Sequence, residues 1–251
     1  MAKPDSIQLG DGTTLAILHE DRSAIAIDKP VGWMLVPYSW QRTNRNLQAA
    51  IVSSIAAGHF WARSRHLKSL RYVHRLDAET SGVLLFGKSP GAVESLSALF
   101  ATRRMEKVYL AVVPGAPRET AWTCRAKLAP DPREIGRMRV DERDGKASET
   151  RFCVRAQAGG RTLLEVRPVT GRTHQIRVHL AAAGHPVVGD PLYGPEHRAG
   201  LGTPRSSGLP NLALRSVELA YRDPFTGRPV KIQAPTAGFL REFGFGQAEP
   251  G

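Results

Sequence analysis

His74-Arg75-Leu76-Asp77-Ala78-Glu79-Thr80-Ser81-Gly82-Val83-Leu84-Leu85-Phe86 sets an acidic turn between a long basic run and a compact apolar run. Gly82–Phe86 reads as a buried strand. Thr80, Ser81 and Gly82 shape a tight polar loop at its start, a place where proteins display site residues. Asp77 is flanked by Arg75 and His74, so nearby positive charge favours its ionised form. Taken alone, the same carboxylate reads equally well as a structural residue capping a turn.

Working outward, Ser89-Pro90 supplies an N-cap and a first-turn proline for a helix reaching about Arg103. Upstream, Ala24–Ile27 predicts a strand ended by the turn Lys29-Pro30-Val31-Gly32, and Asn46 opens a helix that stops near Gly58. Downstream, strands are predicted at Val108–Val113, Glu149–Ala156, Leu163–Val166, Leu212–Ala220 and Val230–Gln233, with a helix over Thr173–Ala183 stopped by Gly184. Gly194–Pro210, rich in Gly, Pro and Ser, reads as a surface loop. Strands outnumber helices without strict alternation, which favours α+β over a doubly wound sheet. The 251 residues read as one domain without repeats.

Charge narrows the function. The chain carries 35 Lys+Arg against 23 Asp+Glu, a net +12, with a pI near 10.3. No acid interrupts the stretch between Asp28 and Asp77, where Lys29, Arg42, Arg45, Arg63, Arg65, Lys68, Arg71 and Arg75 interleave with Trp33, Trp40, Trp61 and Tyr72. From Arg151 to Arg177, Glu165 is the one acid among Arg155, Arg161, Arg167 and Arg172. Blocks of one sign point to a phosphate backbone. A membrane surface is the weaker reading, because no long basic amphipathic helix stands out. No apolar run approaches the ~18 residues of a membrane span. The polar start MAKPDSIQLGDG lacks a signal peptide's apolar core, so the expected location is the cytoplasm. Cys124 and Cys153 are too few for a disulfide framework or a four-thiolate zinc site and read as reduced core thiols.

His74-Arg75-Leu76-Asp77 followed by Thr80-Ser81-Gly82 resembles the HRLD-x-x-TSG signature of RluA-type pseudouridine synthases. Three further blocks match that family in order. They are Ile17–Asp21 with Ile27–Gly32; Lys107-Val108-Tyr109-Leu110-Ala111; and Gly171–His179, continuing to Gly184-His185-Pro186 and Gly189-Asp190. Together they cover about Ile17 to Pro235. The resemblance implies the pseudouridine synthase fold, a curved, mostly antiparallel mixed sheet flanked by helices and loops. It also implies isomerisation of uridine in RNA: the N1–C1′ bond breaks, the uracil turns over, and C5 rejoins C1′.

By the same resemblance Asp77 is the essential carboxylate, either attacking C1′ or removing a C2′ proton to give a glycal. Tyr109 packs on the target base and helps remove the C5 proton. Arg177 pairs with the catalytic carboxylate. Arg75 fills the space left by the flipped base, where a guanidinium stacks and hydrogen-bonds better than an ammonium. His74, Thr80, Arg172, His174 and the aliphatic Leu214 complete the substrate-binding set. No metal or other cofactor is implied. The expected partner is ribosomal RNA or tRNA, the expected state a monomer. With only a short polar lead before the first block, the S4 RNA-binding domain that many relatives carry is not expected. Arg215 stands where relatives often have His, and Pro37-Tyr38 follow Val36 where a His-Pro pair is common.

Two other readings compete. A metallohydrolase would draw on His74, Asp77, His174, His179, His185 and Asp190. His174 and His179 are five apart, though, and a helix turns them about 140° from each other. A non-catalytic RNA-binding or ribosome-assembly protein fits the basic stretches equally well, but does not explain Asp77, Tyr109 and Arg177 occurring together, each in its block.

Overall fold

The sequence alternates short apolar runs with Gly, Pro and capping residues, and each run becomes a strand or a short helix. A computed structural model describes residues 3–35, 45–195 and 211–246. In chain order the elements are β1 (Ser6–Gln8), β2 (Thr14–Glu20), β3 (Ala24–Lys29), α1 (Leu47–Ala56), α2 (Phe60–Arg63), β4 (Arg71–Tyr72), β5 (Ser81–Gly87) and α3 (Pro90–Ala101). They continue with β6 (Glu106–Pro114), β7 (Ala121–Pro130), β8 (Met138–Val140), β9 (Lys146–Ala158), β10 (Arg161–Pro168), α4 (Gln175–Ala182), β11 (Leu214–Arg222), β12 (Pro229–Gln233) and α5 (Ala237–Glu242). The fold class is α+β, as the strand-rich pattern predicts, and the described ladders between these strands are antiparallel. Two compact units form: residues up to Glu106 with Glu218–Ala234, and Lys107–Val217 with the residues from Pro235 onward.

In the first unit β2 pairs with β1 and β3, and β3 pairs with β5 in a register running from Ala24↔Gly87 to Lys29↔Gly82. β4 lies on the other edge of β5, and β12 pairs with the Glu218–Arg222 half of β11. The core gathers Ala26, Val83, Leu85, Leu96, Leu99 and Leu219, all nearly inaccessible. Burying each large aliphatic side chain contributes roughly 1.5–3 kcal/mol. α3 starts where the sequence predicts, Ser89 capping it by accepting from the Ala92 amide at 3.2 Å with Pro90 in the first turn. Gly87 is required here: a Cβ would stand 2.8 Å from the Val93 backbone nitrogen, so only a glycine lets α3 pack this closely on β5.

In the second unit the strands run in the order β6-β10-β9-β7-β8. α4 packs Val178 with Leu128 and Tyr193 in a small apolar cluster. The predicted start of α4 at Thr173 needs correction: His174 takes the left-handed conformation at φ 52°, so regular helix begins at Gln175. Its end beyond Ala182, with Gly184 at φ 82°, agrees with the expected glycine stop. The cysteines also differ from expectation. Cys124 on β7 and Cys153 on β9 are free but only half-buried, since each lies on a sheet face rather than in the core. Residues 36–44 and 196–210, which hold Val36, Pro37, Tyr38, Trp40, Arg42 and most of the predicted Gly194–Pro210 loop, lie outside the described residues. Among the described residues no helix is long and apolar enough to cross a membrane.

Candidate active site

The loop that carries Asp77 is built in the first unit and is anchored from beneath. Lys29, at the end of β3, is completely buried, and its ammonium donates to the carbonyls of Pro30 (3.0 Å), Ala78 (3.1 Å) and Thr80 (2.8 Å). The Gly32 amide donates to the Ala78 carbonyl at 2.8 Å, and the Thr80 amide to the Asp77 carbonyl at 3.1 Å. The carbonyls of Asp77, Ala78 and Thr80 are therefore tied down, while Asp77 itself is half-buried and Arg75 is exposed. Burial pulls the Lys29 amine down to about 7, against the opposing pull of Glu79 and Asp77. Sequence reading counted Lys29 in the basic run that points to a phosphate backbone; complete burial corrects that, because its ammonium serves backbone carbonyls instead. Replacing Lys29 with Met takes a donor from three carbonyls, of which Ala78 keeps the Gly32 amide. We expect Lys29→Met to cost about 2 kcal/mol in urea unfolding, and an unchanged midpoint would show that the anchor is dispensable.

His74 and Thr80 serve the same loop from within the fold. The His74 ring stacks on Phe100 with centroids 4.5 Å apart, and its Nε2 accepts from the Leu85 amide at 3.1 Å. That bond joins the strand end before Asp77 to the middle of β5. Thr80 is buried, with 2% of its surface exposed, and its carbonyl is one of the Lys29 acceptors.

In the second unit the block Gly171–His179 becomes the lead into α4 and the helix itself, and the polar residues Gln175, Arg177 and His179 of the helix turn inward. Arg177 is fully buried. Its Nε donates to Asp190 Oδ2 and its Nη2 to Asp190 Oδ1, both at 2.8 Å, and its guanidinium lies 5.3 Å from the centre of the Tyr193 ring. Asp190 Oδ1 also accepts from the amides of Leu192 and Tyr193. A forked ion pair with further backbone donors is the arrangement that makes a buried charge tolerable. Gln175 bridges Thr170, the Arg172 amide, the Glu149 carbonyl and Thr150. His174 shares a 2.9 Å hydrogen bond with the Tyr193 hydroxyl, whereas Arg172 is exposed. Tyr109 lies in β6 opposite Val166 and is 8% exposed, and Leu214 opens β11 almost fully buried. Sequence reading listed Asp190 among possible ligands and gave Tyr193 no role.

His179 makes its hydrogen bonds to Ser148 Oγ (2.8 Å) and Thr150 Oγ1 (2.9 Å), while His174 turns to Tyr193. The two histidines thus have separate partners, although His174 lies before the regular helix that the spacing argument assumed. Burial pushes His179 down to about 4 from the ordinary 6.5. Its folded form stays neutral, so between those pH values the unfolded chain holds the extra proton and stability is lost as pH falls. The expected loss is on the order of 3 kcal/mol from pH 6.5 to pH 4. Comparing urea midpoints of wild type and His179→Gln across that range checks it: the variant should show a flatter decline.

Part of the basic surface is spoken for. Arg65 is buried against Glu20, 2.8 Å from its carboxylate, which also takes Lys88. Glu165 pairs with Arg155 and Arg167, and Glu149 with Arg125 and Arg151. The side chains of Arg125, Arg151, Arg155 and Arg167 nevertheless stay 42–71% exposed.

Residues 24–182 match the family model described as RNA pseudouridylate synthase, and the chain belongs to that family, whose members are isomerases. It is 36% identical over 227 residues to the ribosomal large subunit pseudouridine synthase C of Salmonella typhimurium, covering 90% of this chain and 67% of the relative. The Escherichia coli protein of the same name is 36% identical over 221 residues, so the chain spans about two thirds of the length of these relatives. Among solved structures, human RNA pseudouridylate synthase domain containing 1 superposes with a TM-score of 0.68 at 27% identity, covering 88% of this chain and 83% of the other.

Proposed function

We propose that this protein isomerises uridine to pseudouridine in structured ribosomal RNA, with Asp77 as the carboxylate that starts the reaction. The observation that carries this reading is the Asp77 loop: a half-exposed carboxylate beside an exposed arginine, on backbone anchored by a buried lysine, within the family's signature. A rigid loop suits a group that must meet C1′ or C2′ in one geometry. Either route, attack at C1′ or proton removal at C2′, begins at this oxygen. Tyr109 packs on the base and assists loss of the C5 proton. Arg177, oriented by Asp190, holds positive charge for the reacting carboxylate. Arg75, with its exposed guanidinium, takes the place of the extruded base, and Arg172, His174 and Leu214 shape the RNA and base contacts. His74 and Thr80 act by holding the loop.

Ribosomal RNA is favoured over tRNA because the bacterial relatives are ribosomal large subunit pseudouridine synthases. The match to residues 24–182 runs through both compact units, which supports treating them as one catalytic domain. The protein acts as a monomer in the cytoplasm, needing no metal or cofactor. Release of tritium from ribosomal RNA labelled at uridine C5 tests the reading, because that hydrogen is lost when C5 becomes the glycosidic carbon. Release that requires Asp77 and survives a chelator supports it. RNA binding without release from ribosomal RNA or tRNA would favour the assembly-protein alternative.

A further inference from the structure

We propose that Lys107, facing the open side of Gly171, is the binding point for a single phosphate of the RNA backbone. This deepens the function proposed above and rests on it. Lys107 stands two residues before Tyr109 on β6 and is part-buried; among the described residues its ammonium donates to one acceptor, the Thr170 carbonyl at 3.0 Å. An ammonium has three donors. The other buried lysine, Lys29, spends its three on three carbonyls. Lys107 spends one, and no carboxylate offsets its burial, which draws its amine down to about 8. A partly desolvated cation with donors to spare favours an anion that supplies both charge and acceptors.

Gly171 borders that cation and sets no side chain over it. A Cβ there would sit 3.9 Å from Lys107 Nζ with no other atom within 4 Å. Gly171, Arg172 and Thr173 are all exposed, so this lip of the second unit faces solvent. The chemistry selects a phosphate: acceptor oxygens, one negative charge and access along an extended chain. RNA supplies such a group at every nucleotide.

The test is salt-dependent binding of the full chain to a ribosomal RNA transcript, comparing wild type with Lys107→Met and Gly171→Ala. Lys107→Met should weaken binding about tenfold and lower the slope of log K against log salt by about 1, the share of one phosphate. Gly171→Ala keeps the charge and narrows the approach, so it should weaken binding while the fold, followed by circular dichroism, is unchanged. A single methylphosphonate walked along the transcript should find one position that weakens wild type and has no effect in Lys107→Met. An unchanged slope in Lys107→Met, or no such position, overturns the proposal. Tritium release by wild type is scored on the same RNA. Release together with an unchanged slope refutes the phosphate site alone, whereas absence of release counts against the synthase reading.

Discussion

Asp77→Asn should abolish tritium release from C5-labelled ribosomal RNA, a loss of at least about a thousandfold, while RNA affinity stays within about tenfold. The size follows from what is removed. Asn has nearly the same shape but neither the charge to stabilise an electron-poor C1′ nor the basicity to take a C2′ proton, so both routes fail at the first step. The loop should survive, because its anchors are backbone groups: Lys29 reaches carbonyls of Pro30, Ala78 and Thr80, and Gly32 reaches Ala78. Affinity should survive because phosphate contacts supply most of it. Equal melting curves for the two proteins separate loss of chemistry from loss of fold. A variant that kept a tenth of wild-type turnover would remove Asp77 from its proposed role.

Elements with local punctuation were legible in the sequence. Asn46, Ser89-Pro90 and Gly184 mark helix ends through bonds to their own neighbours, and these ends agree to within a few residues. β7 was legible and missed: Trp122, Cys124, Ala126 and Leu128 alternate with Thr123, Arg125 and Lys127, a period-2 pattern hidden by small and charged residues. β1 and β8, each three residues long, carry too few side chains for any period. At the site, the loop around Asp77 was legible because its signature is contiguous. The groups that hold it were not, since Lys29 meets Ala78 and Thr80 about fifty residues away through backbone carbonyls that have no sequence identity. Likewise an arginine and a histidine within QIRVHLAA signal buried polar groups needing partners, but nothing local says which ones.

Asp190 is the partner where that ignorance matters most. Removing it takes the forked carboxylate partner from a guanidinium that is completely buried, and Asp190→Ala should cost about 3–5 kcal/mol in urea unfolding. Asp190→Asn divides that cost. The amide oxygen still accepts from Leu192 and Tyr193, but the amide nitrogen takes the place of Oδ2 against Arg177 Nε, so the remaining loss reports the broken ion pair and that donor–donor contact together. Adding Arg177→Met to Asp190→Asn removes the charge itself, and an uncharged, well-filled site is often as stable as the pair it replaces. The double variant should therefore recover most of the stability lost by Asp190→Asn. It should still fail to release tritium, because stability needs only that the charge be balanced or absent, whereas the proposed chemistry needs the guanidinium present and oriented. A double variant that folds and turns over at the wild-type rate would leave the pair a purely structural device. A double variant no more stable than Asp190→Asn would locate the penalty in packing around Tyr193 rather than in the buried charge.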